Sequence, residues 1–371
     1  MKIDQSILKK EDLADLRLRR LYESYGYSQY KMSKFEEYDL YVRNKSFLIS
    51  DSVITFTDTN GKLMALKPDV TLSIVKNTKD GQKGVQKVYY RENVYRVSQR
   101  SHAYKEILQV GLECLGSIDV YCIAEVLALA AKSLEALCED YILNVSHLGL
   151  LSSLTERIGV PSDKKETLLA YISEKNAHDA YALCREAGLG EEQIAALGAL
   201  TECDPDPARA LSAISSLFDD AEWKKQAEEL DTVLSLLPVG HVRLDFSVIS
   251  DTRYYNGIVF QGYVNGIPEH ILSGGQYDRL MERMNKKAGA LGFAVYLDRL
   301  ESLLTAPPQY DVDTFLLYED SISPVTVYKE VEALVQSGVS VTAGRERPEK
   351  MKYRRLLQLT ERGVEALEEN A

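Results

Sequence analysis

Two β-rich segments joined by a polar loop stand out in the first third of the chain. The segments run from Val88 to Val97 and from Tyr104 to Leu115, and the loop between them has no proline. This pattern is typical of two antiparallel strands. Because side chains alternate across a strand, residues an even number apart share a face. Gln109 and Glu113 therefore point the same way from the second strand.

The same two strands carry the polar groups of a possible pocket. Pairing the strands can bring Arg96 near Gln109 and Glu113, so that one sheet face holds a guanidinium, an amide and a carboxylate. Such a set suits a small zwitterion. A solvated sheet face also carries these residue types, and the pattern alone leaves both interpretations open.

The stretch from Tyr89 to Gly116 resembles motif 2 of class II aminoacyl-tRNA synthetases, specifically of the histidyl-tRNA synthetase group. That group reads roughly Phe-Arg-x-Glu-Arg-Pro-Gln, then a loop, then Gln-x-x-x-Glu at the amino-acid site. Tyr95-Arg96 match the first pair, and Gln109 with Glu113 match the last. Ser98 stands where the group has a glutamate.

The composition is that of a globular protein rather than of a nucleic-acid binder. The chain has 371 residues, 45% of them hydrophobic and 27% charged, which is enough for two or three domains with a sizeable core. Its formal net charge is −12, so no overall positive field attracts a phosphate backbone. We therefore expect no tight binding of tRNA.

The sequence predicts no metal site, no cofactor and no membrane segment. The five cysteines form no Cys-x-x-Cys pair, and the five histidines lack metal-ligand spacing. The N-terminus has no apolar stretch of the kind found in signal peptides, and charged residues interrupt the most apolar helix. The expectation is a cytoplasmic protein with reduced thiols.

A second motif precedes the strand pair. A hairpin signal at Asn60-Gly61 is followed by Leu66-Lys67-Pro68-Asp69-Val70-Thr71 and an apolar helical period. This segment resembles Leu-Arg-Pro-Glu-x-Thr of the histidyl-tRNA synthetases, in which the carboxylate binds the α-amino group of histidine. The resemblance assigns that role to Asp69, with Thr71 beside it. Alternatively, Asp69 is a helix N-terminal residue favoured by the helix dipole.

Helices are predicted around the middle of the chain. Residues 118–139 have an amphipathic helical period, and His147, after the strand that follows, is interpreted as structural. From about residue 152 to 237 the sequence is helical and rich in alanine, with breaks at prolines. We interpret this stretch as an inserted helical subdomain without chemistry of its own.

The segment from Ser250 to Gly257 resembles Arg-Gly-Leu-Asp-Tyr-Tyr-x-Gly, a signature of histidyl-tRNA synthetases. Tyr254, Tyr255 and Gly257 match, but Ser250 replaces the arginine, which in that group stabilises charge during histidine activation. The resemblance therefore implies that activation is impaired, unless Arg253 takes over this role.

Residues 291–300 resemble motif 3 of the same enzymes. Arg299 is retained, whereas Tyr296 replaces a glycine that allows close approach of the adenine base, and Asp298 replaces a glutamate. Tyr296 is expected to crowd the adenine site. Arg299 either binds nucleotide or holds a carboxylate within the fold.

The resemblance implies an α+β fold of the class II synthetase type, a mixed, mainly antiparallel sheet with flanking helices. We expect this domain to occupy residues 1–306 and to self-associate through the motif 1 region near Phe35. Residues 310–371 resemble a truncated anticodon-binding α/β region. The amino-acid half of the site is complete in the sequence: Asp69, Thr71, Arg96, Gln109, Glu113, Tyr254 and Tyr255.

The chain keeps the residues of the amino-acid site, whereas residues of the activation reaction are replaced. In this respect it resembles one family, the regulatory subunits of ATP phosphoribosyltransferase. This resemblance implies a non-catalytic protein of histidine biosynthesis. Such a subunit activates a short-form catalytic subunit and binds L-histidine as feedback inhibitor. The alternatives are a divergent histidyl-tRNA synthetase and, more remotely, a stand-alone histidine-binding module or an enzyme charging another substrate.

Overall fold

The computed structural model describes residues 10–44, 53–78, 84–97, 102–238, 240–249, 255–300 and 309–369. It divides into two compact units, Met1–Leu304 and Thr305–Ala371. The strands are β1 (Ser28–Gln29), β2 (Phe35–Glu37), β3 (Thr55–Thr57), β4 (Leu63–Leu66), β5 (Val85–Val97), β6 (Tyr104–Gly116), β7 (Tyr141–His147), β8 (Val242–Leu244), β9 (Ile258–Val264), β10 (Leu272–Gln276), β11 (Gly289–Tyr296), β12 (Val312–Tyr318), β13 (Val341–Gly344), β14 (Tyr353–Thr360) and β15 (Gly363–Glu369). The helices are α1 (Lys10–Ser24), α2 (Tyr38–Arg43), α3 (Thr71–Asn77), α4 (Val120–Leu137), α5 (Leu148–Arg157), α6 (Lys165–Ser173), α7 (Ala177–Glu186), α8 (Glu191–Thr201), α9 (Pro207–Ser215), α10 (Ala221–Ser235), α11 (Asp278–Arg283) and α12 (Pro324–Gln336).

An eight-stranded sheet forms the centre of the first unit, in the order β1-β5-β6-β11-β10-β9-β7-β8. The six inner strands pair antiparallel with one another, and β1 and β8 each add a parallel edge. The predicted strand pair is confirmed as β5 and β6, which are in register from Val85 opposite Gly116 to Val97 opposite Tyr104. The prediction of a mixed, mainly antiparallel sheet is likewise confirmed.

One face of this sheet packs against helices α1 and α4. Leu112, Phe293 and Phe260 lie in one row on this face and are buried in the main hydrophobic cluster with the apolar side of α4. Helix α4 begins where the Asp119 side chain accepts a hydrogen bond from the Cys122 amide at 2.8 Å, a standard N-terminal cap. The opposite face is thereby left for other elements.

That opposite face is partly covered by α3 and α11, which share a second hydrophobic cluster with side chains from β5 and β6. A small antiparallel sheet in the order β2-β4-β3 adjoins these helices. The hairpin predicted at Asn60-Gly61 is confirmed, because β3 and β4 pair on either side of it. Most of the polar side chains of interest lie on this second face of the large sheet.

Helices α5 to α10 form the inserted segment, which agrees with the helical interpretation of residues 152–237. Four of these helices have side-chain N-terminal caps, from His147, Asn176, Asp206 and Asp220. Trp223 is fully buried among these helices, where its ring nitrogen donates to the Ile214 carbonyl at 2.8 Å. The buried side chains of these helices continue the hydrophobic cluster of the large sheet and α4.

The second unit is a four-stranded sheet in the order β13-β12-β14-β15, with helix α12 packed on one face. The predicted β-α-β start is present as β12, α12 and β13, and the remaining residues add two further strands. The likeness of this unit to an anticodon-binding region stays a prediction.

One strand prediction was too long. The alternation from Arg243 to Val248 predicts a strand, but β8 ends at Leu244. Asp245 ends it because its carboxylate accepts the amide and hydroxyl hydrogens of Ser247, which forms a turn. Among the described residues no helix is long and apolar enough to cross a membrane, and no cluster of three or more metal-ligating side chains is found.

Candidate functional site

The strand register lines up small residues on the second face of the large sheet. Glu113 on β6 lies opposite Gly292 on β11, which in turn lies opposite Gly275 on β10. In the next row Gly111 lies opposite Ala294, which lies opposite Ser273. These positions carry small side chains or none, so side chains from neighbouring strands and loops can lie directly over the sheet. We call these two rows the floor of the candidate pocket.

Glu113 closes one end of this floor. Its two carboxyl oxygens accept hydrogen bonds from Thr71 at 2.7 Å and from Tyr277 at 2.5 Å. The carboxyl group lies over Gly292, and a methyl group there would collide with it. Burial and, as a smaller contribution, the nearby Asp69 charge raise the pKa of Glu113 to about 8, against the opposing effect of the two hydrogen bonds. This group is therefore poised to exchange a proton or to accept a buried hydrogen bond.

Asp69 lies beside this end of the pocket, at the start of α3. Its carboxylate accepts the Leu72 amide hydrogen at 2.8 Å. This hydrogen bond confirms the interpretation of Asp69 as a residue that caps the N-terminal end of a helix. Burial raises its pKa, while the Leu72 amide and the Arg96 charge act in the opposite direction. Cap and ligand contact are compatible, because a carboxylate has two oxygens.

Arg96 reaches the Asp69 turn rather than the floor of the pocket. It lies opposite Lys105, four residues along β5 from the pair Glu92 and Gln109. Its Nε donates to the Pro68 carbonyl at 3.0 Å. The guanidinium thus supplies positive charge at the edge of the pocket next to Asp69.

Two tyrosine rings line the floor. The Tyr90 ring crosses Gly111, and the Tyr255 ring lies over Gly275; an added methyl group at either glycine would collide with the ring. Burial raises the pKa of both phenols well above the usual value, with the charges of Glu113 and Asp69 contributing. Both phenols therefore stay protonated and can donate hydrogen bonds.

The far end of the floor is built differently. Gln109 is buried and lies between Glu92 and Tyr296 in the third row of the face. Glu92 is paired with Lys67, whose ammonium lies 2.5 Å from its carboxylate. Tyr296 is buried, and its hydroxyl lies 2.8 Å from that of Ser273. Gln109 is thus flanked by Tyr296 on one side and by the Lys67–Glu92 pair on the other.

The motif 3 arginine is engaged by its own neighbours. The Arg299 guanidinium stacks on the Tyr296 ring at 4.5 Å from the ring centroid. It donates to the His270 carbonyl and lies 3.5 Å from a Glu269 carboxylate oxygen. These contacts agree with the interpretation of Arg299 as a residue that holds a carboxylate within the fold.

Of the predicted site residues, the structure brings Asp69, Thr71 and Glu113 together, with Tyr255 above the floor. Tyr254 lies outside the described residues, as do Ser98, Ser250 and Arg253. Sequence reasoning missed two members, Tyr90 and Tyr277. The signal for Tyr277 was its place in the Gly-Gly-Gln-Tyr-Asp motif, and for Tyr90 the even spacing from Arg96 along β5.

His147, interpreted as structural, caps a helix. Its Nδ1 accepts the Leu150 amide hydrogen at 3.0 Å at the start of α5. Burial lowers the pKa of His147 to about 4, so the ring is neutral at physiological pH. A neutral Nδ1 acceptor is what this cap requires.

Comparisons with known proteins agree with this architecture. A regulatory subunit of ATP phosphoribosyltransferase from Oceanobacillus iheyensis is 27% identical over 312 residues, covering 82% of this chain and 76% of the relative. A histidine–tRNA ligase from Methanocaldococcus jannaschii is 26% identical over 336 residues, covering 89% and 78%.

A solved structure from Bacillus halodurans, described as an ATP phosphoribosyltransferase regulatory subunit/histidyl-tRNA synthetase, has the same fold. Its TM-score is 0.74 at 20% identity, and the match covers 94% of this chain and 93% of that one. The model of the histidyl-tRNA synthetase family matches residues 5–300. With a class II synthetase fold and a match over most of its length, this chain belongs to the histidyl-tRNA synthetase family.

Proposed function

We propose that this chain is the regulatory subunit of an ATP phosphoribosyltransferase, which catalyses the first step of histidine biosynthesis. In this proposal it binds histidine as a feedback effector, activates a short catalytic subunit and has no catalysis of its own. The observation that carries the proposal is the contrast between the two ends of the pocket. At the end with Asp69 and Glu113, polar side chains lie over glycine positions of the sheet, whereas at the other end Tyr296 stacks with Arg299.

Histidine suits the polar end in size and charge. Its α-amino group would bind Asp69 and Gln109, its carboxylate would lie near Arg96, and its imidazole would lie near Glu113 and Tyr255. The imidazole N–H would donate to Glu113, which would release its proton on binding, so that the hydrogen bond becomes charge-assisted. This placement follows the roles implied by the family motifs and agrees with the burial of Gln109 and Glu113.

Loss of catalysis is supported by the opposite end of the pocket. The guanidinium of Arg299 stacks on Tyr296, donates to the His270 carbonyl and lies 3.5 Å from a Glu269 carboxylate oxygen, so it is engaged by groups of the protein itself. At Ser250 the chain has no charge with which to stabilise the activation transition state. Both features favour a binding protein over an enzyme that activates histidine.

Partners follow from the family and from an exposed apolar surface. The Oceanobacillus relative is named a regulatory subunit, and such a subunit requires a catalytic chain. For self-association, the outward face of the small sheet carries Phe35 and Phe56, which are 49% and 38% exposed and have ring centroids 5.3 Å apart. Their strand partners Leu66 and Met64 share this face. Apolar surface of this kind favours an interface between copies.

Isothermal titration calorimetry with L-histidine tests the binding part of the proposal. Glu113→Gln removes the ability of this side chain to ionise on binding but keeps an amide that can contact Thr71 and Tyr277, and it should weaken binding by about 1 to 3 kcal/mol. The matched control is Glu106→Gln on the same strand, since Glu106 is exposed and bonds to Tyr95 on the other face. Unchanged affinity in Glu113→Gln would remove Glu113 from the ligand site.

A divergent histidyl-tRNA synthetase is the second candidate, because the Methanocaldococcus relative at 26% identity is a histidine–tRNA ligase. Histidine-dependent exchange of pyrophosphate into ATP separates the two functions. The regulatory proposal expects no exchange above background. Exchange at ordinary synthetase rates would make this chain an enzyme.

A further inference from the structure

Lys67 is unusual because its side chain is fully buried yet carries a charge. Its relative exposure is 0%, and its ammonium lies 2.5 Å from Glu92, whose side chain is 16% exposed. Lysine is among the residues least often buried without a partner. Replacing a buried ion pair with apolar residues is often neutral or stabilising for the fold. Stability alone therefore does not account for this pair.

Backbone hydrogen bonds of Lys67, which directly follows β4, connect it to Lys34 and to β5. The Lys67 amide donates to the Lys34 carbonyl at 3.2 Å, and the Lys67 carbonyl accepts from the Tyr95 amide at 2.9 Å. Lys67 thus fastens the end of β4 to β5. Asp69 lies two residues further on, beyond Pro68, whose carbonyl is held by Arg96. The position of Asp69 depends on how this short turn is anchored to β5.

Glu92 is a second carboxylate on the face that forms the pocket. It lies opposite Gln109 in the third row, on the same side of the sheet as Glu113. One of its oxygens contacts the Lys67 ammonium, and the other accepts from the Met32 amide at 3.4 Å. A negative charge left unpaired here would compete with Asp69 for a cationic group of a ligand.

We propose that Lys67 is a positioning residue for the amino-acid pocket. Its buried ammonium neutralises Glu92 and holds the turn from Lys67 to Asp69 against β5. Asp69, and not Glu92, then receives the ammonium group of the ligand. This inference rests on the proposed function. It assigns the contact with the ligand to Asp69 and the ion pair with Lys67 to Glu92.

The test compares L-histidine with two analogues by calorimetry. Histidinol keeps the ammonium group and lacks the carboxylate, whereas imidazolepropionate keeps the carboxylate and lacks the ammonium group. In the variant Lys67→Met with Glu92→Gln, the Kd of histidine and histidinol should rise by roughly 10- to 100-fold, the range expected for a lost charge-assisted hydrogen bond. The Kd of imidazolepropionate should stay within about threefold of the parent value, since this analogue does not use Asp69.

A matched control is available on the same strand. Lys87 on β5 forms a 2.5 Å ion pair with the buried Glu125, on the face that packs against α4. Lys87→Met with Glu125→Gln should leave all three Kd values unchanged. Equal loss for all three ligands in the Lys67 and Glu92 variant, or no loss, would overturn the positioning role.

Two further measurements keep the inference separable from the fold and from the proposed function. If the double variant does not fold, Glu92→Gln alone removes the ion pair that anchors Lys67 to β5 and should cause the same selective loss; a loss shared by all three ligands would refute the inference. Lys67→Arg in the parent chain keeps the positive charge beside Glu92. It should therefore bind histidine more tightly than the Lys67→Met and Glu92→Gln double variant does. A parent chain that binds none of the three ligands would refute the proposed function itself.

Discussion

Glu113→Gln should change how the stability of the protein depends on pH. Burial holds the pKa of Glu113 at about 8 in the folded chain, against an ordinary value of 4.5 for a glutamate side chain in water. Between these two values the folded state keeps a proton that the unfolded state releases. Stability therefore falls as pH rises through this window, by about 1.4 kcal/mol per pH unit. Below pH 4.5 the effect vanishes, and above pH 8 it is complete.

The magnitude is large compared with the stability of a typical domain. A pKa difference of this size corresponds to about 5 kcal/mol above pH 8 and about 3 kcal/mol at pH 7. Glutamine keeps an amide in place of the carboxyl group, next to Thr71 and Tyr277, but has no charge to desolvate. The variant should therefore become more stable than the parent by an amount that grows with pH.

Urea unfolding from pH 4 to pH 9 measures this difference directly. The unfolding free energies of parent and variant should diverge as pH rises and then run parallel above pH 8. Glu106→Gln, at an exposed site on the same strand, should follow the parent at every pH. Curves of parent and Glu113→Gln that stay parallel from pH 4 to pH 9 would refute the reasoning on burial.

Three further predictions address the site and the assembly. Gly292→Ala should destabilise the fold by about 1 to 3 kcal/mol and weaken histidine binding, because the added methyl group collides with the Glu113 carboxyl group; unchanged urea midpoint and Kd would contradict this. The parent chain should show no histidine-dependent exchange of pyrophosphate into ATP, and measurable turnover would refute a purely regulatory role. Phe35→Glu with Phe56→Glu should shift the chain toward monomer in sedimentation velocity, while the exposed control Leu236→Glu should not; an unchanged distribution would place the self-interface elsewhere.

Elements defined by local sequence were predicted from the sequence. The strands β5 and β6, the hairpin at Asn60-Gly61 and the long helix α4 each carry a period or a turn signal within a few residues. The resemblance to the family motifs also predicted the class II synthetase fold. The end of β8 was misplaced, because the turn at Asp245 depends on a side chain that also continues the strand-like alternation.

The floor of the pocket could not be predicted in the same way. It depends on the register between β6 and β11, which are far apart in the chain, and local patterns carry no information on such a register. Gly292 under Glu113 and Gly111 under Tyr90 are therefore visible only in the folded chain. The same holds for the pairing of Lys67 with Glu92, which are 25 residues apart in the chain.

The central claim is that histidine bound at Asp69 and Glu113 regulates a catalytic partner. The most direct measurement is the rate of phosphoribosyl transfer to ATP by a short-form catalytic subunit, with and without this chain, as histidine is titrated. We expect that this chain activates the transfer and that histidine inhibits it. Asp69→Ala should keep the activation and raise the histidine concentration needed for inhibition, since an effector acts only through its different affinities for the two states. Absence of activation, or inhibition of the Asp69→Ala complex at the parent histidine concentration, would contradict this regulatory role.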